Sequence, residues 1–423
     1  MLIGAPATTT AGELTIATVN NGHMIAMQKL APEFLALNPE ISLNWVTFNE
    51  GTLREQVTKD ITEQGGQFDV MTIGMYEAPI WGERGWLEPL EFSAAYQTED
   101  LLPAIREGLS YDGTLYAAPF YGESSMIMYR SDLMADAGIT LADQPTWDEV
   151  RAAAEAMTDR DRGIYGICLR GKPGWGDNMA FLTTMANTFG AQLFNEDWTP
   201  ALNTPEWKNA VTFYIDMLTQ FGPPGSESNS FNEILSLFNE GRCGMWIDAT
   251  IAASFITDPD QSEVANRVDF AQAPSAVTSK GGNWLWAWAL AVPTGSNATE
   301  DAIRFIEWAT SKAYIELVGQ KRGWGQVPTG TRASTYGNTS FQQAATFAEA
   351  ELSAILSASP ADSTLNPSPY VGVQFASIPE FADIGGFMGQ QMTAALSGQI
   401  SVDEALANAQ DYADQAMRNA GYY

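Results

Sequence analysis

Near its start the chain alternates short apolar runs with polar turns and helical stretches, and this alternation restricts the fold most. Residues 14–19 read as a buried strand, and after a polar turn a helical stretch covers 24–37. A second apolar strand at 68–74 leads into Tyr76 and Glu77. Repeated strand–helix units predict an open α/β sheet, and such sheets bind ligands beyond the carboxyl ends of their strands.

Length and charge set the broad class of the protein. At 423 residues the chain exceeds what one hydrophobic core usually holds, so two domains are expected. With 21 basic and 51 acidic residues, the net charge of −30 repels nucleic acids and anionic membranes. No apolar stretch reaches the ~20 residues of a membrane span. We therefore expect a folded protein without a nucleic-acid partner and without a membrane-spanning segment.

Histidine and cysteine are too scarce for most metal or nucleophile chemistry. The sequence holds one histidine, His23, and two cysteines, Cys168 and Cys243, so a zinc site of these residues is not expected. A Ser-His-Asp triad would have to use His23, which lies beside glycine in a turn. Whether Cys168 and Cys243 pair cannot be read from the sequence, so a disulfide and two buried free thiols are both open alternatives. No cofactor is predicted.

The first residues lack the features of a signal peptide. Residues 1–12 are small and polar, without a basic region or an apolar run. We interpret them as a disordered mature N-terminus or processing remnant of an exported protein whose signal peptide has been removed.

Further elements follow from local signals. Thr146 and Glu149 form a capping box that starts a helix running to about residue 157. Residues 164–169 read as a strand that opens into a Gly-rich loop at 170–178, and 299–319 reads as one helix. In the apolar run 281–293 three tryptophans at period two are expected on one face of a strand, namely Trp284, Trp286 and Trp288.

Several short motifs occur in an order that resembles the extracellular solute-binding proteins of ABC importers, within the maltose-receptor-like carbohydrate group. The stretch at 18–22 and those at 67–74 and 79–81 are most similar to the subgroup that binds sugar alcohols such as mannitol, sorbitol and arabitol. The resemblance covers essentially the whole chain. The other matching stretches are 68–70, 118–120, 128–130, 238–241, 244–245, 281–282, 292–293 and 402–406.

The resemblance implies an α/β fold of the periplasmic-binding-protein type, with two lobes, a hinge of crossing segments and a ligand cleft between the lobes. The N-terminal lobe would take 13–122 plus 290–327, and the C-terminal lobe 126–286 plus 330–423. The implied function is that of a periplasmic receptor, non-enzymatic and monomeric, that binds a sugar alcohol. Lobe closure would then deliver the ligand to the permease subunits of the importer in the inner membrane.

Candidate ligand residues in the first lobe follow predicted strands. Asn20 and Asn21 come after the first strand, and an amide can both donate to and accept from hydroxyls, although either could instead cap the next helix. Tyr76 and Glu77 follow the strand at 68–74, and Glu50 follows a strand at 44–48. These five residues are predicted to face the ligand.

The remaining candidates lie at the crossings or in the second lobe. Glu123 falls where the resembled maltose receptors place a ligand-binding carboxylate, and a carboxylate suits a vicinal diol. Asp248 ends a predicted strand, and Trp284 or Trp286 are favoured over Trp288 for contact, although such a tryptophan stripe more often belongs to a core. The Gly-rich loop adds the candidates Arg170, Lys172 and Trp175. The third segment implied to cross between the lobes adds Arg322 and Trp324.

Other functions remain open from the residues. Glu77, Glu123 and Asp248 could supply the carboxylate pair of a glycoside hydrolase. A receptor for mono- or oligosaccharides would use similar groups, whereas an organic-acid receptor would need a bidentate arginine, for which Arg170 and Arg322 are candidates. A structural protein is not favoured, because no internal repeat is found.

Overall fold

A computed structural model describes residues 12–423, so residues 1–11 of the predicted N-terminal segment lie outside the described part. The chain divides into two compact units. Unit 1 comprises the residues up to Tyr121 together with Ala287–Gln320, and unit 2 comprises Gly122–Trp286 and Lys321–Tyr423. Each of the three passages between the units falls inside a strand or a helix.

The elements of the chain are numbered in order. The first part contains β1 (Gly12–Val19), α1 (Gly22–Leu37), β2 (Ile41–Phe48), α2 (Glu50–Glu63), β3 (Val70–Ile73), α3 (Glu77–Glu83), α4 (Pro103–Gly108), β4 (Ser110–Tyr111), β5 (Thr114–Leu115) and β6 (Ala118–Glu123). The middle contains β7 (Ser125–Arg130), α5 (Ser131–Ala137), α6 (Trp147–Met157), α7 (Asn178–Thr188), α8 (Pro205–Phe221), α9 (Phe231–Asn239), β8 (Met245–Ala249), α10 (Ala253–Ile256) and β9 (Val268–Gln272). The last part contains β10 (Trp286–Ala291), α11 (Thr299–Ala309), α12 (Lys312–Arg322), α13 (Ala333–Tyr336), α14 (Thr339–Ala344), α15 (Ala348–Ser357), α16 (Phe381–Leu396) and α17 (Val402–Ala420).

Unit 1 is built on a five-stranded sheet in the order β2-β1-β3-β10-β6. β1 pairs in parallel with β2 and β3, as the strand–helix alternation predicts. β10 runs antiparallel to β3, with Ala289 opposite Ile73. The carboxyl ends of β1, β2 and β3 and the amino end of β10 therefore meet at one edge of the sheet.

Unit 2 contains a three-stranded antiparallel sheet in the order β8-β7-β9, surrounded by helices. Helices α7 and α8 pack on each other, as do α16 and α17, and α16 also packs against α7. Helix α6 starts at the predicted capping box, where Thr146 Oγ1 accepts from the Glu149 amide and the Glu149 carboxylate accepts from the Thr146 amide. The predicted capping box is confirmed. It could be predicted from sequence because both of its hydrogen bonds join residues only three positions apart.

Three boundaries of the lobes expected from the resemblance differ from the division into units, one of them only in that Gly122 groups with unit 2. Residues 321–327, expected in the N-terminal lobe, group with unit 2. The reason is packing, because the short 3-10 helix Trp324–Gln326 lies against α10 and α14 of unit 2. Residues 287–289, which the expected boundaries assign to neither lobe, group with unit 1 because β10 pairs with β3.

Three predicted elements are corrected. The stretch 164–169 is not a regular strand, because Tyr165 and Cys168 form only isolated bridges to the chain around β8. The helix expected over 299–319 is two helices, and the break follows from Ser311, whose hydroxyl accepts from the Tyr314 amide and starts α12. The tryptophan strand begins only at Trp286, so Trp284 lies before it.

The structure decides between the two alternatives for the cysteines in favour of a disulfide. Cys168 and Cys243 form a disulfide within unit 2, and both residues are fully buried. Their pairing depends on the Cys168 region lying beside the start of β8, which the sequence separation of 75 residues conceals. The bridge ties the chain that leads into the Gly-rich loop to the strand that ends near Asp248.

The described residues hold neither a membrane-spanning helix nor a metal cluster. Within 12–423, no helix combines the length and apolar character needed to cross a membrane. The same range contains no group of three or more histidine, cysteine, aspartate or glutamate residues arranged to hold a metal ion.

Candidate functional site

The first-lobe candidates lie at the edge of the unit 1 sheet where three parallel strands end. Asn20 and Asn21 follow β1, Glu50 begins α2 after β2, and Tyr76 and Glu77 follow β3. Asn20 is exposed, Asn21 and Glu50 are half-buried, and Tyr76 and Glu77 are buried. This is the edge at which open α/β sheets bind ligands.

Asn21 serves as a helix cap and also contacts a tyrosine from far along the chain. Its Oδ1 accepts from the Met24 amide at 2.9 Å, and its Nδ2 donates to Tyr121 Oη at 2.9 Å. The Tyr121 ring also packs against His23, with ring centroids 5.6 Å apart. Asn21 therefore caps helix α1, as the alternative interpretation proposed. The hydrogen bond from Asn21 also brings Tyr121 to this edge of the sheet, and no sequence pattern around position 121 indicated this.

Glu77 is held by contacts to both of its carboxylate oxygens. Oε2 accepts from the Gly74 amide at 2.9 Å, and Oε1 lies 3.3 Å from Arg54 Nη1. The Arg54 guanidinium also lies 3.9 Å from the Glu50 carboxylate and 4.8 Å from the centre of the Trp288 ring. Glu50 and Glu77, predicted separately, are thus joined by an arginine.

Sequence reasoning missed Arg54, although a signal for it existed. Arg54 stands four residues after Glu50 on the predicted helix, a spacing that brings opposite charges together on one helical face. The contacts of Arg54 with Glu77 and Trp288 come from β3 and β10 lying side by side, which no sequence spacing reveals.

In unit 2 the structure joins two predicted residues in a buried ion pair. Arg170 donates from Nε to Asp248 Oδ2 at 2.8 Å and from Nη2 to Asp248 Oδ1 at 2.7 Å. Oδ2 also accepts from Trp246 Nε1, and Oδ1 from the Ala249 amide. These bonds use about four lone-pair sites, the capacity of a carboxylate. Asp248 therefore holds the Arg170 loop in place, and its contact with a ligand stays a prediction.

The Gly-rich loop that follows Arg170 is fixed against its surroundings. Arg170 Nη1 donates to the Gly176 carbonyl at 3.0 Å, and Tyr214 donates to the Arg170 carbonyl at 2.7 Å. A Cβ on Gly171 would lie 2.2 Å from the Ser226 carbonyl, so only glycine fits there. Half-buried Lys172 lies on this loop. These contacts hold the loop in place and position the side chains it carries.

Trp175 and Trp286 belong to one aromatic cluster of unit 2. Their ring centroids are 5.8 Å apart in an edge-to-face arrangement, and Phe375 lies about equally near to both, at 6.2 and 5.9 Å. Phe381 also packs on Trp175. Trp175 is 9% exposed and Trp286 5%. Edge-to-face packing of this kind fixes the ring planes, so any ring face presented to a ligand is preorganised.

Glu123 ends β6 and is buried, between two backbone contacts that position it. The Gly122 amide donates to the Thr329 carbonyl at 2.9 Å, and the Ser124 amide donates to Thr250 Oγ1 at 3.2 Å. The expectation that Glu123 binds ligand stays a prediction.

A buried carboxyl group that sequence reasoning missed is linked to this segment through Thr329. Glu351 accepts hydrogen bonds from Thr329 Oγ1 at 2.7 Å and from Tyr336 Oη at 2.8 Å. Burial raises the pKa of Glu351 to about 7, with the hydroxyl donors Thr329, Tyr336 and Thr250 opposing that rise. The same burial raises the pKa of the Tyr336 hydroxyl well above its usual value. The network ties the 329–336 segment to α15.

The last candidates occupy different environments within unit 2. Trp284 is buried, and its Nε1 has no hydrogen-bond partner among residues 12–423. Arg322 ends α12 and is exposed, and Trp324 is half-buried in the 3-10 helix that follows. The roles of these three residues in ligand binding stay predictions.

A family model described as bacterial extracellular solute-binding protein matches residues 21–316, more than half of the chain. The chain belongs to the bacterial extracellular solute-binding protein family. A mannitol-binding protein of Pseudomonas aeruginosa is 51% identical over 410 residues, which are 97% of this chain and 94% of that protein. The resemblance to the sugar-alcohol group of this family is thereby confirmed.

Solved structures agree with the family assignment. An ABC transporter solute-binding protein from Agrobacterium vitis with bound D-mannitol is 55% identical, covers 97% of this chain and 99% of its own, and has a TM-score of 0.96. A solute-binding protein from Agrobacterium radiobacter in complex with ribitol is 23% identical, covers 96% and 99%, and has a TM-score of 0.84, which supports the fold alone. The predicted α/β fold class of two-lobed periplasmic binding proteins is confirmed.

The relatives also decide between an enzyme and a receptor. The family and the named relatives are binding proteins. The protein is therefore a non-enzymatic receptor, and the glycoside hydrolase alternative based on Glu77, Glu123 and Asp248 is rejected.

Proposed function

We propose that this protein is the solute receptor of an ABC importer and that its ligand is a linear sugar alcohol of the mannitol, sorbitol or arabitol class. The observation that carries this proposal is the 55% identity, over nearly all of both chains, to a solute-binding protein with bound D-mannitol. The 51% identity to a mannitol-binding protein supports the same ligand class.

The chemistry of the predicted ligand residues suits a neutral molecule with many hydroxyls. Glu77 and Glu123 supply carboxylates, Asn20 and Asn21 supply amides, and the indole face of Trp175 can pack on C–H groups. Water competes well for the hydroxyls of a polyol, so affinity must come from groups already held in place before the ligand arrives. The contacts that fix Glu77 and Trp175 provide such preorganisation.

The remaining parts of the proposal concern the setting of the receptor. We propose export to the periplasm with removal of a signal peptide, a monomeric state, and delivery of the ligand to permease subunits in the inner membrane. Closure of the two lobes on the ligand would signal the loaded state. The family description, an extracellular solute-binding protein, supports export.

An organic-acid receptor is less well supported than a polyol receptor. Recognition of a carboxylate by Arg170 would require its guanidinium to face the ligand. Instead its Nε and Nη2 are bonded to Asp248 and its Nη1 to the Gly176 carbonyl. Two relatives that are more than half identical to this chain are a mannitol-binding protein and a protein with bound D-mannitol, which favours a polyol over a saccharide as the ligand.

The test is a thermal-shift screen of the purified protein, followed by titration calorimetry of each positive ligand. The ligands are mannitol, sorbitol, arabitol, xylitol, mono- and disaccharides and organic acids. A ligand that binds only the folded protein stabilises it by about 2.7 kcal/mol at a hundred times its dissociation constant. We expect a rise in melting temperature with linear polyols. A rise with saccharides or acids alone would refute the ligand class.

A pair of variants tests whether Trp175 contacts the ligand. Trp175→Leu is expected to weaken polyol binding at least about tenfold, because an aromatic contact and its packing are lost. Trp198→Leu is the matched control, since Trp198 also packs among aromatic rings of unit 2, against Phe194 and Tyr422. Equal affinities in the two variants would remove Trp175 from the proposed site.

A further inference from the structure

Three charged side chains form a cluster at the ligand edge of unit 1. The Arg54 guanidinium lies 3.3 Å from the Glu77 carboxylate and 3.9 Å from the Glu50 carboxylate. The side chains of Arg54, Glu50 and Glu77 are only 14%, 24% and 5% exposed. The Glu50–Arg54–Glu77 cluster itself contains two carboxylates and one guanidinium, a formal charge of −1, and its low exposure limits screening by salt.

The cluster also fixes the direction of the Glu77 carboxylate. Gly74 donates to one carboxylate oxygen of Glu77 and Arg54 to the other. Arg54 is held in turn by the Trp288 ring beneath its guanidinium. A guanidinium stacked on an indole while bonded to a carboxylate has little freedom to reorient. Arg54 is therefore a positioning residue for Glu77.

We propose that Arg54 orients Glu77 and that the Glu50–Arg54–Glu77 cluster makes the receptor select against negative charge, so that linear sugar alcohols bind and aldonic acids of the same carbon chain are rejected. This inference rests on the proposed function and deepens it. It assigns the discrimination to a repulsive element, the excess carboxylate, in addition to attractive hydrogen bonds.

The physical basis is the difference between a terminal hydroxymethyl group and a terminal carboxylate. A hydroxyl can donate to Glu77, whereas a carboxylate can only accept and meets the net negative cluster. Binding also removes water from the ligand carboxylate, which costs free energy of desolvation. The Arg54 guanidinium offsets little of that cost, because it already interacts with two carboxylates. The Arg170 guanidinium of unit 2 also already binds a carboxylate, that of Asp248, which reduces its attraction for a carboxylate on the ligand.

The experiment compares three ligands that share a six-carbon polyol chain and differ in charge. Titration calorimetry of the full chain at low salt would use D-mannitol, D-mannonate and 1-amino-1-deoxy-D-mannitol. We expect the wild-type protein to bind mannonate at least about tenfold more weakly than mannitol, with the difference shrinking as salt is added. Equal affinities for these two ligands would overturn the proposal.

Variants separate charge selection from structural damage. Glu77→Gln removes the excess charge and should reduce the mannitol preference over mannonate about fivefold or more. Arg54→Met should raise that preference and shift binding about tenfold towards the amino sugar alcohol. Arg54→Lys should restore the charge preference while leaving affinity weaker, because lysine lacks the planar fork. Ratios between ligands cancel a general loss of affinity that a merely structural role would cause.

The matched control is Arg84, whose guanidinium lies 4.8 Å from the Trp86 ring in the same unit. Its stacking distance equals that of Arg54 on Trp288. Arg84→Met should leave all three affinities unchanged. If Arg54→Met weakens the three ligands equally, Arg54 has only a structural role and the inference fails. If the wild-type protein does not bind mannitol, the proposed function fails instead.

Discussion

Replacing Asp248 by asparagine tests whether the buried ion pair supports the fold of unit 2. Asp248 is fully buried, and its two oxygens accept four hydrogen bonds, two from Arg170 and one each from Trp246 Nε1 and the Ala249 amide. An asparagine side chain would keep one acceptor oxygen. Its NH₂ group would replace the other oxygen and would face two N–H donors with which it cannot form hydrogen bonds. The Arg170 charge would then be buried without a carboxylate.

The expected loss of stability can be worked from these contacts. Two of the four hydrogen bonds are lost, and bonds to charged groups contribute about 1.5–3 kcal/mol each. Breaking a buried ion pair by removing one partner costs about 3–5 kcal/mol, which agrees with that sum. We therefore expect Asp248→Asn to lower the free energy of unfolding by about 3–5 kcal/mol.

Urea unfolding followed by tryptophan fluorescence and circular dichroism would measure this change. The control is Glu40→Gln, because Glu40 and Arg304 form a 2.8 Å ion pair whose side chains are both 46% exposed. Surface pairs contribute about 0–1 kcal/mol, so this variant should be nearly neutral. A double variant, Asp248→Leu with Arg170→Met, should recover part of the loss, since no charge of the pair remains buried.

The outcome separates two roles for Asp248. A loss below about 1 kcal/mol for Asp248→Asn, matching the surface control, would refute the reasoning. If that small loss accompanied a large loss of polyol affinity, Asp248 would instead act as a ligand acceptor. A large loss of stability without recovery in the double variant would show that the hydrogen bonds, not the charge, dominate.

Two further predictions concern unit 2. Replacing Cys168 and Cys243 with alanine should lower the unfolding free energy by about 4 kcal/mol, because the bridge spans 75 residues of sequence. Urea titrations with and without reductant check this, since reductant should destabilise only the wild type, and an equal effect on both proteins would contradict it. Burial raises the pKa of Glu351 from 4.5 to about 7, so the folded protein keeps this proton at higher pH than the unfolded chain, and the stability it contributes is present below pH 4.5 and is lost as the pH rises to about 7. Glu351→Gln should remove this pH dependence, so its free energy of unfolding should rise by about 3 kcal/mol relative to that of the wild type between pH 4.5 and 7. Unfolding free energies of the two proteins that change in parallel with pH would contradict this prediction.

Local signals predicted the elements whose hydrogen bonds lie within a few residues. The Thr146–Glu149 capping box and the strand that ends before Asn20 belong to this class. The break between α11 and α12 was missed because Ser311 caps a helix inside an otherwise continuous helical pattern. The stretch 164–169 has the composition of a strand but makes only isolated bridges, and which backbone it meets is decided outside that stretch.

Sequence reasoning selected candidate residues where a strand end marked them, and it did not select residues whose contacts come from a distant segment. Glu50 and Glu77 follow strands, so the edge rule indicated both. Tyr121 reaches Asn21 across 100 residues of sequence, and Arg54 reaches Glu77 across 23. Glu351 has no motif around it, and its pKa is raised by burial, which exists only in the folded chain.

The sequence by itself predicted an α/β fold with polar groups at strand ends, and its motifs resembled those of extracellular solute-binding proteins. Periodicity, capping and composition depend on neighbouring residues, so they can be read without the fold. Tertiary structure alone decided the Cys168–Cys243 bridge, the Arg170–Asp248 pair and the contact of Arg54 with Glu77. Each of these depends on the distance between side chains from separate elements, which is set by how strands and helices pack and not by their spacing in sequence.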